Sequence, residues 1–211
     1  RLRSFIWRNA SITGFVIKSG AQLVMVDNAF ANPVTLGTFA SPIGVAMALP
    51  EGTTQGYPTA RLFLVDGNIV RVDYAAATTS APLLTIAGWT PTDEGALFAA
   101  SPTALYVAVN TPAAGATPES ASIYVIPADG SSMASAIDTE AAHITSLAFP
   151  VGGTNVVWGE TAPTYTIRAM AQSGGSPFTV VASSANGGMF AATATAVYYT
   201  TWTGTTDATA R

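Results

Sequence analysis

The chain has no cysteine and a single histidine in 211 residues. The first absence excludes disulfides, thiolate nucleophiles and cysteine-based metal sites; the second excludes a histidine-rich metal site or a two-histidine mechanism. Charge is scarce too. Only 9% of residues are charged against 49% hydrophobic, so Thr, Ser, Ala, Gly and Asn must coat much of the surface. Eight Lys and Arg against twelve Asp and Glu give a net charge of −4 with no basic run, which argues against nucleic acid as a partner.

Long apolar runs are missing as well. Polar, Gly or Pro residues interrupt every stretch before it reaches the roughly 18 residues a membrane helix needs. No segment shows helical periodicity with caps. The acids are scattered singly and form no alternating calcium loop, and no nucleophile elbow, phosphate loop, dinucleotide fingerprint or zinc-protease helix is present. The chain starts at Arg1 without Met, signal peptide or lipid-attachment Cys, and is read as a mature or partial segment.

What is present is a repeat of short strands. One set reads LFLVDG (62–67), LYVAVN (105–110), VVWGET (156–161) and VYYTTW (197–202), with FIWRN (5–9) a candidate earlier copy; this is strand b. Strand c follows as LVMVDN (23–28), IVRVDY (69–74), IYVIPADG (123–130) and IRAMAQSGG (167–175). Strand d reads VTLGTFA (34–40), LLTIAG (83–88), SAID (135–138) and FTVVAS (178–183). Strand a is rich in small residues: IGVAMALP (43–50), ALFAAS (96–101), TSLAFP (145–150) and GMFAAT (188–193). A period of about 40 to 50 residues is the mark of β-propeller blades, whose crowded innermost strand favours small side chains. A β-sandwich also spaces strands closely, but it gives no reason for the a-b-c-d order to recur.

The expected fold is therefore all-β, a propeller of four-stranded antiparallel blades, with about four present. Blade-like units span 43–88, 96–138 and 145–183, and partial blades 1–40 and 188–211. Closed propellers use four to eight blades, and a long segment, 1–20, is left over, so the chain is expected to be part of a larger propeller. Asp66-Gly67-Asn68 marks a tight hairpin between strands b and c.

Residues 167–204 carry a resemblance. Gly174, Gly175, Pro177, Gly188, Val197, Tyr198 and Thr200 match the Gly-Gly-x-Pro, Gly and "VYWT"-like positions of blades in myxobacterial-type propeller lipoproteins and YWTD- or NHL-like proteins, with Tyr199 where those repeats usually have Trp. Earlier blades resemble them in period more than in motif. The resemblance implies a propeller in an extracytoplasmic setting that binds or scaffolds and shares no chemistry.

Strand direction alternates within a blade, so the b-to-c and d-to-a connections share one end and the a-to-b and c-to-d connections the other. The first end receives Asp66, Asp93, Glu94, Glu119, Asp138, Glu140, Glu160 and Asp207; the second only Asp27, Glu51, Asp73 and Asp129. The first also has the longest inserts, 88–95 and 110–122, and Trp89. An aromatic beside acids on loops suits a sugar, a cationic ligand or a basic partner. The expected ligand-binding set is Trp89, Asp93, Glu94, Glu119, Asp138 and Glu140. Trp7, Trp158 and Trp202 are expected to pack between blades. His143 reads as a turn residue, with a general base beside Asp138 and Glu140 as the sharper alternative.

No catalytic residue, metal ligand or cofactor is assigned. The expected function is a non-catalytic binding or scaffolding propeller recognising protein or glycan at a bacterial surface, secreted, periplasmic or on the outer membrane. Two alternatives stand beside it. One is a structural subunit of an envelope or filament assembly. The other is a hydrolase or lyase with an axial metal, for which Asn110, Asn186 and Glu160 are the loose candidates.

Overall fold

A computed structural model describes residues 2–8, 11–39, 46–49, 60–89, 96–114, 119–161, 165–182, 186–202 and 208–210. Side chains in 2–8, 11–13, 46–48, 186–189, 201–202 and 208–210 are outside that description. The described residues are all strand and turn. The first sheet runs β1 (Leu2–Arg8), β2 (Ser11–Ser19), β3 (Gln22–Asp27), β4 (Val34–Thr38). The second runs β5 (Ala46–Ala48), β6 (Ala60–Val65), β7 (Asn68–Asp73), β8 (Thr78–Thr79), with β9 (Leu84–Thr85) also on β7.

Two further four-stranded sheets follow. They are β10 (Ala96–Ala100), β11 (Ala104–Thr111), β12 (Ser120–Pro127), β13 (Ser135–Glu140), and β14 (Ile144–Ala148), β15 (Asn155–Glu160), β16 (Thr166–Ala171), β17 (Phe178–Ala182). A three-stranded sheet closes the series: β18 (Asn186–Ala192), β19 (Val197–Trp202), β20 (Ala208–Ala210). In every sheet spatial order equals chain order and the resolved pairings are antiparallel. This is the β-propeller blade.

Two compact units divide the chain. The first holds Arg1–Asp93, Pro102–Ala104 and Ile126–Ala134; the second holds Glu94–Ser101, Leu105–Val125 and Ser135–Arg211. Within the first, β1 lies beside β5 and β4 beside β8; within the second, β10 lies beside β14 and β14 beside β18. First strands of successive blades are thus neighbours, as radial stacking requires.

The alternation of side chains explains the stacking. On β2 and β3, Val16 and Leu23 point to one face and join Phe63, Val65, Val70 and Val72 of the next blade in one buried cluster. Phe15, Val24 and Val26 point to the other face and form a second cluster. Each blade has two apolar faces and cannot bury both alone. In the second unit, Val157, Tyr165, Ile167 and Ala169 pack against Phe190, Val197 and Tyr199 in the same way.

Three expectations need correcting. FIWR (5–8) belongs to β1, the first strand of its sheet, so it takes the strand-a position; strand b of that blade is Ser11–Ser19. Its Gly14 pairs directly with Asp27 across the ladder, where a Cβ would come within 2.3 Å of the Val26 carbonyl oxygen. The segment expected to be left over, 1–20, supplies the first hairpin, and the blade expected to be partial over 1–40 has four strands.

The outer strand of the second blade starts earlier than LLTIAG and comes in two pieces. Pro82 carries no N–H to continue the ladder. Around it the Ser80 hydroxyl accepts from Arg71 N at 2.9 Å, and Leu83 N donates to Ile69 O at 2.7 Å. The hairpin expected at Asp66-Gly67-Asn68 is present, with Val65 paired to Asn68. The left-handed residues are Asp66 (φ 50°) and Gly67 (φ 78°), so Asn68 is already strand.

Of the two left-handed glycines Gly67 and Gly88, Gly67 should be the costlier to replace by alanine. A Cβ there meets the Ile86 carbonyl oxygen at 3.0 Å and Trp89 Cβ at 3.2 Å, whereas Gly88 (φ 69°) has open space. Urea denaturation is expected to show a loss of about 2 kcal/mol for Gly67→Ala and about 1 kcal/mol for Gly88→Ala.

Candidate functional site

The two ends of the blades treat their acids differently. At the c-to-d turns, Asp27 Oδ1 accepts from Ala29 N (3.0 Å) and Ala31 N (2.8 Å), while Oδ2 accepts from Asn32 Nδ2 (2.8 Å). Asp73 Oδ1 accepts from Ala75 N (3.0 Å) and Ala76 N (2.9 Å), and Asp129 Oδ1 from Ser131 N (3.0 Å). Hydrogen bonds to the ionised form hold all three carboxyls below the ordinary range, led by Ala31 N for Asp27, Ala76 N for Asp73 and the Ser131 side chain for Asp129. These acids build turns.

At the other end of the blades in the second unit, the acids meet side chains instead. Strand register places Glu140 opposite Ala121, Ile144 opposite Glu160 and Glu160 opposite Thr166, so β13, β14, β15 and β16 all present residues at this end. Asn110 ends the second strand of one blade and bonds the first strand of the next. Its Nδ2 donates to Ile144 O and its Oδ1 accepts from Ile144 N, both at 2.9 Å and buried.

Those two bonds fix which way the amide points. They leave the Asn110 NH2 group, 3.4 Å away, facing His143 Nε2, while His143 Nδ1 lies 2.8 Å from Glu119 Oε1. A donor opposite Nε2 and an acceptor opposite Nδ1 place the imidazole proton on Nδ1. The carboxylate partner of His143 is therefore Glu119, and not the Asp138 and Glu140 of the alternative general-base reading.

Asp138 and Glu140 do come together, with two residues of the next blade. Arg168 Nη1 donates to Glu140 Oε1, and the guanidinium carbon sits 5.9 Å from the centre of the Trp158 ring. Trp158 is fully buried, and Glu140 and Glu160 are 8% and 7% exposed. Burial raises the Glu140 carboxyl to about 7, helped by a hydrogen bond with Asp138 and by the charges of Glu160 and Asp138, and opposed by Arg168. Burial also raises Glu160, against Arg168 and with Asp138.

Sequence reasoning named Asp138 and Glu140 but left out Arg168 and gave Glu160 only a loose metal role. The signal for both was their place on strands b and c of the following blade, at the end where the acids gather. Of the metal candidates, Asn110 is committed to Ile144, and the Asn186 side chain lies outside the described residues. Among the described residues no group of three His, Asp or Glu is arranged to hold a metal ion.

Trp89 belongs to the first unit, half-buried against the Gly67 turn, with its N–H donating to Ile86 O at 3.4 Å. Asp93 and Glu94 lie outside the described residues, so their expected gathering with Trp89 is not seen. Of the tryptophans expected between blades, Trp158 is buried; the side chains of Trp7 and Trp202 are outside the description, and Trp7 stands on β1.

No family model matches the chain, and no curated protein matches it. The likeness of 167–204 to lipoprotein, YWTD- and NHL-like repeats thus stays local. A solved structure described as a TolB from Agrobacterium tumefaciens is similar at 11% identity, with a TM-score of 0.46, over 93% of this chain and 72% of that one. At that level the likeness adds nothing to the fold, which rests on strand order and register.

Asn110→Ala should remove both bonds to Ile144 and leave two backbone groups unsatisfied. A loss of about 2 to 3 kcal/mol is expected in chemical denaturation, and Asn110→Asp should cost at least as much at neutral pH, because a buried carboxylate oxygen then faces the Ile144 carbonyl.

Proposed function

We propose that the protein is a non-catalytic, extracytoplasmic recognition propeller whose partner is a protein surface carrying basic groups, met at the b-to-c and d-to-a end of the blades. The observation that carries this reading is the contrast between the ends. Asp27, Asp73 and Asp129 are used up by their own turns, while Glu119, with a side chain 41% exposed, stands just before β12 and among the described residues bonds His143. Loops on a rigid scaffold that hold unspent charge are suited to recognition.

Asp138 and Glu140, in the same unit as Glu119, support it from within; Trp89, Asp93 and Glu94, which the sequence puts on a d-to-a connection, are proposed as recognition residues in their own right. The extracytoplasmic setting follows the resemblance of the last blades. A catalytic reading has little to draw on, since His143 is the chain's one imidazole and its Nε2 is covered by the Asn110 amide.

Biolayer interferometry against peptides of equal length and net charge +4, 0 and −4, run beside a glycan array, tests this. Binding is expected for the positive peptide, weakening steeply with salt. Glu119→Lys should weaken it at least about fivefold, while Ser132→Lys, at a c-to-d turn, should leave it nearly unchanged. Equal binding of all three peptides, or binding to glycans alone, would refute a basic protein partner.

A further inference from the structure

Three carboxylates and one guanidinium meet between two neighbouring blades of the second unit. Asp138 and Glu140 stand on β13, the last strand of one blade; Glu160 and Arg168 stand on β15 and β16 of the next. The Arg168–Glu140 pair ties one blade to the other with side chains 25% and 10% exposed. One positive charge cannot balance three negative ones, and Asp138 Oδ2 and Glu160 Oε2 are buried with no hydrogen bond. Beyond the corner at 141–143, His143 and Glu119 form their own pair among the described residues; Glu94 and Asp207, assigned to the same end by sequence, lie outside the described residues.

We propose that this cluster is a proton-operated latch between the two blades: a proton held on Glu140, beside the Asp138 and Glu160 carboxylates, keeps them joined at this end, and its loss loosens them. Two bare carboxylates repel each other. A proton on Glu140 gives Asp138 the donor it lacks, while the other Glu140 oxygen still accepts from Arg168.

The direction of the pH effect follows from linkage. Glu140 holds its proton up to about 7 in the closed form, whereas a freely solvated glutamate releases it near about 4.3. The cluster's contribution is complete below the lower value and is lost as pH rises through the upper one. Among the described residues, the far end of the same blade pair shows no such cluster, its Asp129 being bonded within its own turn. There Gln172 Nε2 donates to Ser101 Oγ at 3.0 Å, and Tyr106 stacks on Phe149 at 5.7 Å. Loss of the proton therefore loosens only the end that presents Glu119 and His143, whatever partner binds there.

Hydrogen exchange of the full chain between pH 5.5 and 8.5, corrected for intrinsic rates, tests the latch. Opening of β13 and β16 is expected to increase by roughly tenfold over this range, while β3 in the first unit stays constant. Glu140→Gln keeps the shape and cannot ionise, so its profile should be flat. Glu160→Gln removes one repelling charge, so its midpoint should move to lower pH. A flat wild-type profile, or a Glu140→Gln profile that keeps the full pH dependence, would overturn the proposal. Carboxyl-carbon NMR of the wild type gives an independent reading should Glu140→Gln not fold: a Glu140 midpoint near an ordinary glutamate's would overturn it too.

Discussion

Everything in this structure depends on one constraint, that a four-stranded blade has two apolar faces and a neighbour must cover each. Val16 and Leu23 face one way and Phe15, Val24 and Val26 the other, from adjacent positions on the same two strands. A helix or a one-faced sheet could solvate its second side; this sheet cannot, and burial of such residues is worth about 1.5 to 3 kcal/mol each. Stacking is therefore built into the alternation. It also explains how the chain folds with so little charge, because side chains at blade faces need no solvation and only edges and turns meet water.

The same alternation creates the polar sites between blades. A position that points at the neighbouring blade is buried whether or not its side chain is apolar, so a charge placed there must find a partner across the gap. Lys18 follows Val16 on the same face of β2 and meets Asp66 of the next blade at 3.3 Å, both side chains under 10% exposed. Arg168 and Glu160 share the face of Trp158 and meet Glu140 and Asp138. The first unit's pair is balanced, one charge to one. The second unit's cluster is not, and the imbalance is what makes it sensitive to a proton.

The strands and their order were legible because a period-2 apolar pattern and turn residues are local signals. The first blade was harder to see, since no glycine stands between Arg8 and Ser11 to mark the break between its first two strands. The split outer strand of the second blade was missed for a different reason. Ser80 replaces a ladder bond with its hydroxyl, which composition does not reveal. The Asp138–Glu140–Glu160–Arg168 cluster could be read only by halves. Acids at one end follow from strand order, but which cation meets them depends on the register between two blades, set by packing over 28 residues of chain.

Scarcity of charge sharpens the meaning of the cluster. With eight Lys and Arg and twelve Asp and Glu in the whole chain, few neighbouring charges exist to compensate an unbalanced group, and its field is screened chiefly by solvent it barely touches. A sequence that only needed to join two blades would do so with one acid and one base, as Lys18 and Asp66 do, or with apolar side chains, which cost less to bury. Placing three acids around one arginine gives up part of that cohesion above neutral pH. The expense is confined to the end of the blades that holds the half-buried Glu119 and His143, while the opposite end is held by neutral bonds and ring stacking. That division, rigid at one end and proton-dependent at the other, would give the proposed recognition surface a means to respond to pH without unfolding the blades beneath it.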